Sequence, residues 1–159
     1  MEIEFRQCKY NDIDFILKLK ELCLKLYVEK IYGWDFNIQK EKTIQELERH
    51  IDDIKIIMVN EQDIGITTFY EEDDVYIVGL IMIHPKYQNQ GIATNIIKNY
   101  INIANDENKK IIIKTYKENP ARRLYERLGF VKCNEDNTHV HMMIAFDDKI
   151  IKLLDNKWK

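Results

Sequence analysis

Residues Val75 to Ile83, Val-Tyr-Ile-Val-Gly-Leu-Ile-Met-Ile, form a run that is apolar on both of its alternating sets of positions. A strand of that kind needs cover on both faces, which puts it in the middle of a sheet with helices on either side. After the break His84-Pro85, the pairs Ile92/Ala93, Ile96/Ile97 and Tyr100/Ile101, then Ala104, recur at helical steps to about Asn105. That broad apolar stripe predicts a helix packed on the sheet. A second β-branched run, Ile111 to Tyr116, follows. Strand, helix and strand within residues 75–116 predict a right-handed parallel crossover beside mostly antiparallel neighbours.

The flanking segments fill out the sheet. Ile3 to Cys8 alternates weakly and reads as a first strand. From about Asn11 to Ile31, the residues Ile13, Ile16, Leu17, Leu22, Leu26 and Tyr27 fall near helical spacing, with Asn11 or Asp12 available as N-cap. Tyr32-Gly33-Trp34-Asp35 interrupts that pattern, and Ile44, Leu47, Ile51 and Ile54 predict a second helix near residues 39–53. Lys55–Asn60 and Asp63–Tyr70 read as strands joined by a turn-rich link, with Glu71-Glu72-Asp73-Asp74 as an acidic connection into the central run. Downstream, Asn119-Pro120 starts a short helix whose Ala121, Leu124, Tyr125 and Leu128 share one face, and Gly129 ends it. Phe130–Cys133 and Thr138–Phe146 predict a closing pair of strands, and Ile150–Leu154 a helical tail. The order is β-α-α-β-β-β-α-β-α-β-β. It predicts one α+β domain over residues 1–159, with a mixed, mostly antiparallel central sheet of about seven strands and helices on both faces.

Composition narrows the class of partner. The 159 residues carry a net charge of −3, which gives no electrostatic case for nucleic acid. Cys8, Cys23 and Cys133 are odd in number and scattered, so neither a disulfide framework nor a zinc site is expected, and a reducing cytoplasm fits. Met1 to Arg6 lacks the layout of a signal peptide, and no run approaches the roughly 18 apolar residues of a membrane span. The chain reads as a cytoplasmic protein with no membrane partner, a monomer or homodimer.

The turn Gln88-Asn89-Gln90-Gly91-Ile92-Ala93 joins the central strand to the following helix. The first N–H groups of a helix have no internal partner and sit at the positive end of its dipole, which suits phosphate. Gly91 has no Cβ and Ala93 adds little bulk, so a ligand can approach the backbone closely. Neither a G-x-G-x-x-G fingerprint nor a Gly-Lys-Ser/Thr follows, so dinucleotide and P-loop readings fail here. Asn119 before Pro120 is an N-cap with Pro at the first helical position, and Tyr125 lies on the apolar face with Leu124 and Leu128.

The segment Ile81-x-Ile83-His84-Pro85-x-Tyr87-Gln88-x-x-Gly91-Ile92-Ala93 resembles the acetyl-CoA signature (Arg/Gln-x-x-Gly-x-Gly/Ala) of the GCN5-related N-acetyltransferases, the GNAT family. Asn119-Pro120-Ala121-Arg122-Arg123-Leu124-Tyr125-Glu126-Arg127-Leu128-Gly129-Phe130 resembles that family's second motif, ending in Tyr-Glu-x-Leu-Gly-Phe. The element order matches over residues 3–147, although residues 1–70 match by layout alone. The resemblance implies a GNAT-type sheet in which the parallel pair splays and acetyl-CoA lies in the gap. It implies backbone contacts to the thioester arm from Ile81, Met82 and Ile83, with the Ile81 N–H on the oxyanion. It further implies pyrophosphate contacts from Gln88, Asn89, Gln90, Gly91, Ile92, Ala93 and Thr94, a contact from Asn119, and Tyr125 as proton donor to the departing thiolate. The implied activity is transfer of an acetyl group from acetyl-CoA to a primary amine, on a small molecule or a peptide, by direct attack in a ternary complex. The alternative is a CoA-binding regulatory module without turnover.

The general base stays unassigned. The central strand offers Tyr76, Ile77 and Val78 rather than a carboxylate, and the acidic run Glu71–Asp74 stands at its start. His139 and His141 share a strand face, two ligands without a nearby carboxylate, so no metal is expected. No cysteine lies within the two motifs to carry the acyl group. In the resembling family the first helices wall the acceptor cleft, which makes Tyr27, Tyr32, Trp34 and Asp35 candidates for substrate binding. An aromatic cluster with Glu29 and Asp35 nearby would favour a cationic amine.

Overall fold

The computed structural model describes residues 1–146; the helical tail expected at Ile150–Leu154 lies outside them. The elements run β1 (Ile3–Gln7), α1 (Ile13–Tyr32), α2 (Phe36–His50), β2 (Ile54–Val59), β3 (Gln62–Glu72), β4 (Val75–Ile83), α3 (Ile92–Asp106), β5 (Lys110–Tyr116), α4 (Ala121–Arg127), β6 (Val131–Glu135) and β7 (His139–Ile144). They build one seven-stranded sheet in the order β1-β2-β3-β4-β5-β7-β6. All neighbours are antiparallel except β4 and β5, which pair in parallel.

Helices cover both faces. On one, Ile16 and Leu19 of α1 and Leu47 of α2 pack on Ile54, Ile56, Ile66 and Met82. On the other, Ile97 and Ala104 of α3 and Tyr125 of α4 pack on Val78, Ile111, Ile113, Val140 and Met142. Ile92 and Ile96 extend that second layer over Ile57, Ile64 and Ile83. Full burial of side chains this size contributes about 1.5–3 kcal/mol each, so these stripes hold the layers together.

Local details depart from the sequence expectations for identifiable reasons. Asp12 precedes α1 but does not cap it with its side chain. Its carboxylate instead takes both arms of the Arg6 guanidinium at 2.8 and 3.0 Å and the Lys9 N–H at 2.8 Å. The Arg6 guanidinium accordingly holds the Asp12 carboxyl below the usual carboxylate range. The second helix starts at Phe36 rather than residue 39 because the Asp35 side chain accepts from the Ile38 N–H and caps it. Glu71 and Glu72 belong to β3, and the link to β4 is only Asp73-Asp74, both with positive φ (53° and 62°) as a tight hairpin turn requires.

The central strand is covered less completely than its composition predicts. Val78, Met82 and Ile83 are buried, but Leu80 and Ile81 are half-buried and Gly79 is exposed. That opening is where the candidate site lies.

Candidate active site

β4 and β5 pair only from Val75/Lys110 to Val78/Ile113. Beyond that point β4 stays with β3 as far as Ile83, and β5 stays with β7 as far as Tyr116, so the two strands part. Gly79 stands at the fork. Thr68 faces Leu80 and Phe69 faces Val78, which leaves Gly79 as the extra residue of a β-bulge. A Cβ at Gly79 would lie 3.3 Å from Thr68 Cγ2 and 3.4 Å from Tyr70 Cε1, so a side chain there would crowd the neighbouring strand.

Past the bulge, the direction of each backbone group follows from alternation. The His84 N–H donates to the Ile64 carbonyl at 2.7 Å, so the even positions face β3. Ile81 and Ile83 therefore turn their N–H and C=O groups to the gap. The Ile83 carbonyl accepts from Gln88 Nε2 at 2.8 Å and from Cys23 Sγ at 3.3 Å. Among the described residues no strand pairs with β4 on that side past Val78, so the N–H groups of Ile81 and Ile83 face the gap.

The turn into α3 supplies a row of donors. A short helical turn, Pro85–Tyr87, leads into Asn89 and Gly91, both with positive φ (62° and 82°). The Gly91 carbonyl accepts from the Asn95 N–H and starts α3, and no side chain caps it. Among the described residues the N–H groups from Asn89 to Thr94 have no protein partner. A Cβ on Gly91 would meet nothing within 4 Å, so the space above the row is open. Unpartnered donors at a helix start under open space fit a pyrophosphate.

Across the gap, the Asn119 side chain accepts from the Ala121 N–H at 2.9 Å and its carbonyl from Arg122 N–H at 3.1 Å, which places α4. Tyr125 of that helix is 5% exposed, edge-on to Phe130, and burial pushes its hydroxyl up to about 12. A cavity of about 560 Å³ runs from the turn along Ile81–Ile83 to α4, with Arg127 as its charged side chain. A second cavity of about 370 Å³ opens toward α1 and α2, bordered by Lys20, Tyr32, Gln39, Lys42, Glu46, Lys114, Tyr116 and His139. The two share Leu24, Ile81, Met82, Asn119 and Tyr125. Residues that the sequence separates thus meet at one junction.

Of the acceptor-side candidates, Tyr32 borders the smaller cavity, whereas Tyr27 borders the larger one and stacks on Tyr116 at 5.8 Å. Trp34 and Asp35 border neither, and Asp35 is committed to capping α2. The acidic run stands at the closed end of the fork, where Glu71 binds Lys109 at 2.7 Å, and borders neither cavity. Cys23 does border the larger cavity, but burial raises its thiol pKa and holds it as S–H. Among the described residues no three His, Cys, Asp or Glu side chains converge as metal ligands.

Two features of the smaller cavity escape sequence reading. Lys20 is buried in the apolar layer, its ammonium donating to Thr43 Oγ1 and Glu46 Oε2, each at 2.9 Å. A lysine inside the apolar stripe of α1 is the signal that could have found it. The His139 ring lies against that of Tyr116, centroids 4.1 Å apart and tilted by 35°, the two residues standing directly opposite in the β5–β7 ladder. Its Nδ1 lies 2.6 Å from Thr138 Oγ1, and the Thr138 hydroxyl donates to Asp136 at 3.2 Å. Burial, reinforced by Lys114, lowers the His139 pKa. Only the register of the closing strands brings it to the cavity.

A splayed parallel pair, an open helix-start turn and a buried tyrosine at their junction define an acyl-CoA-type transferase fold. Residues 52–132 match the family model described as acetyltransferase (GNAT) domain. The chain belongs to that family, acyltransferases whose donor is acetyl-CoA. No curated protein matches the chain. Among solved structures it is similar to PaiA N-acetyltransferase from Thermoplasma acidophilum, determined in complex with coenzyme A (14% identity, 92% of this chain and 100% of that one, TM-score 0.67). It is also similar to the ribosomal-protein-S18-alanine N-acetyltransferase from Escherichia coli (14%, 92% and 95%, 0.65) and to an acetyltransferase from Thermus thermophilus (14%, 91% and 97%, 0.70). At these identities the likeness establishes the fold.

Proposed function

We propose that this chain is a single N-acetyltransferase domain that moves an acetyl group from acetyl-CoA to a primary amine by direct attack within a ternary complex. The observation that carries this reading is the junction itself: Ile81, Asn119 and Tyr125 border both cavities, so a donor from one side and an acceptor from the other meet there. Acetyl-CoA supplies the acetyl group as a thioester and its thiolate as leaving group. The N–H row from Asn89 to Thr94 receives the pyrophosphate, with Gln88 holding the Ile83 carbonyl and Arg127 beside the groove. The Ile81 N–H donates to the acetyl oxygen as negative charge develops on it. Tyr125 keeps its proton at any working pH and donates a hydrogen bond to the thiolate.

His139 takes the role of general base. The Asp136 carboxylate accepts the N–H groups of Thr138 and His139 at 2.9 and 2.7 Å, which keeps it ionised well below the usual range. A carboxylate can only accept, so the Thr138 hydroxyl proton points to it and the Thr138 oxygen accepts from His139 Nδ1–H. That leaves Nε2 with its lone pair. The lowered pKa keeps the ring neutral at pH 7, ready to take a proton from the attacking amine directly or through one water.

Calorimetric binding of acetyl-CoA, combined with CoA thiol release over a panel of amines, tests the reading. Saturable binding with amine-dependent release is the expected result. Binding without release for any amine would replace it with a CoA-binding module.

A further inference from the structure

The smaller cavity has a sign. Its ionisable border consists of Lys20, Lys42, Lys114, Glu46, Tyr32, Tyr116, Tyr125 and His139. Glu46 is neutralised by Lys20 at 2.9 Å, and His139 is neutral at pH 7. Among the described residues neither Lys42 nor Lys114 has a carboxylate partner; Lys42 Nζ sits 5.8 Å from the centre of the Tyr32 ring, at the cavity mouth. Lys20, 4% exposed, spends two N–H donors on Thr43 and Glu46, and an ammonium has a third. The cleft is thus cationic in a chain whose net charge is −3. Glu29 and Asp35, the acids that sequence placed beside the aromatic residues, do not border it.

A cationic cleft repels a polyamine, and a partly enclosed one focuses its field on whatever enters. It also disfavours the ammonium form of the reacting amine, which helps the proton loss that attack requires. We infer that the acceptor is an amine bearing an acidic group, a carboxylate or a phosphate, which seats against Lys42 and Lys114 with its amine toward Tyr125. This rests on the acetyl-transfer reading for the amine, and on the charge of the cavity alone for the acid.

The test compares matched amines: 4-aminobutanoate, butylamine and putrescine as one set, phosphoethanolamine, ethanolamine and ethylenediamine as another. CoA release should give the acidic member of at least one set a kcat/KM at least about tenfold above its neutral partner, one decade being the smallest preference the charge pair should produce. The Lys42→Gln/Lys114→Gln variant, shown folded by its melting curve, should bring that ratio toward one. Equal rates within the sets, or preference for the diamines, would overturn the inference and leave acetyl transfer standing. If acetyl-CoA binds and no amine is turned over, the acetyl-transfer reading falls and calorimetry on the CoA-loaded protein decides the rest. Binding of 4-aminobutanoate or phosphoethanolamine that the double variant weakens supports the anion site, and no binding overturns it.

Discussion

Replacing Tyr125 by Phe separates two ways in which a buried phenol can assist a leaving thiolate. Burial pushes the Tyr125 hydroxyl up to about 12, whereas an ordinary thiol has a pKa of about 8.5. Complete proton transfer from Tyr125 to the thiolate is therefore uphill by about 3.5 pKa units, on the order of 5 kcal/mol. A hydrogen bond to the anion faces no such barrier and contributes about 1.5–3 kcal/mol. Tyr125→Phe should then lower kcat about 10- to 150-fold, with the Kd of acetyl-CoA nearly unchanged. Stability should hold, since the ring stays packed on Phe130 and among the described residues the hydroxyl has no protein partner to lose. Thiol release under saturating substrates gives kcat, and calorimetry gives the Kd. An unchanged kcat would remove Tyr125 from the mechanism. A loss beyond about 10⁴ would show full proton transfer, and the argument from burial would be wrong.

His139→Gln should lower kcat by about 10²–10⁴ and abolish the acid limb of the pH profile. The base works deprotonated, so in the unaltered protein kcat is full at neutral pH and falls only below it; Lys114→Gln, by removing a neighbour that lowers the His139 pKa, should move that limb to higher pH. A limb that stays put in both variants would assign it to another group. Gly91→Glu should fold, since the added Cβ meets nothing and the positive φ costs only about 1–2 kcal/mol, yet weaken acetyl-CoA at least about tenfold by laying a carboxylate over the donor row; retained affinity in calorimetry would move the phosphate elsewhere. Gly65→Ala would put a Cβ 2.4 Å from the Met82 carbonyl, forcing β3 and β4 apart beside Ile81. A loss of about 1–3 kcal/mol in denaturant unfolding is expected, and unchanged stability would contradict the packing.

What was legible in the sequence was mostly local. The apolar run 75–83, the four-residue stripe of α3 and the Asn-Pro start of α4 each mark their element by composition, and the element order followed from them. Where side chains meet across strands, local pattern carried less. His139 reaches the cavity only because it faces Tyr116 in the β5–β7 register, and that pairing joins segments with α4 and β6 between them. Trp34 and Asp35 sit in the helix connection that the family resemblance marks as a cleft wall, yet neither borders a cavity, and the Asp35 side chain caps α2. The charged border of the smaller cavity was out of reach for the same reason: its residues come from α1, α2 and β5, and no window of sequence holds them together.

The bulge at Gly79 has a consequence for how mutation can act on this molecule. Side chains from Leu80 to Ile83 are apolar on both faces, so sliding that half of β4 by one position would bury hydrophobic groups just as well. The hydrophobic effect therefore does not choose between the two registers. The choice falls to Gly79 and the short Asp73-Asp74 turn, and with it the direction in which the Ile81 N–H points. Deleting Gly79 would remove the extra residue and make the β3–β4 ladder regular, so the strand should stay paired with β3 while the fork beyond Val78 changes shape. A retained melting temperature with loss of the proposed transfer would report that the bulge serves the fork and not the sheet.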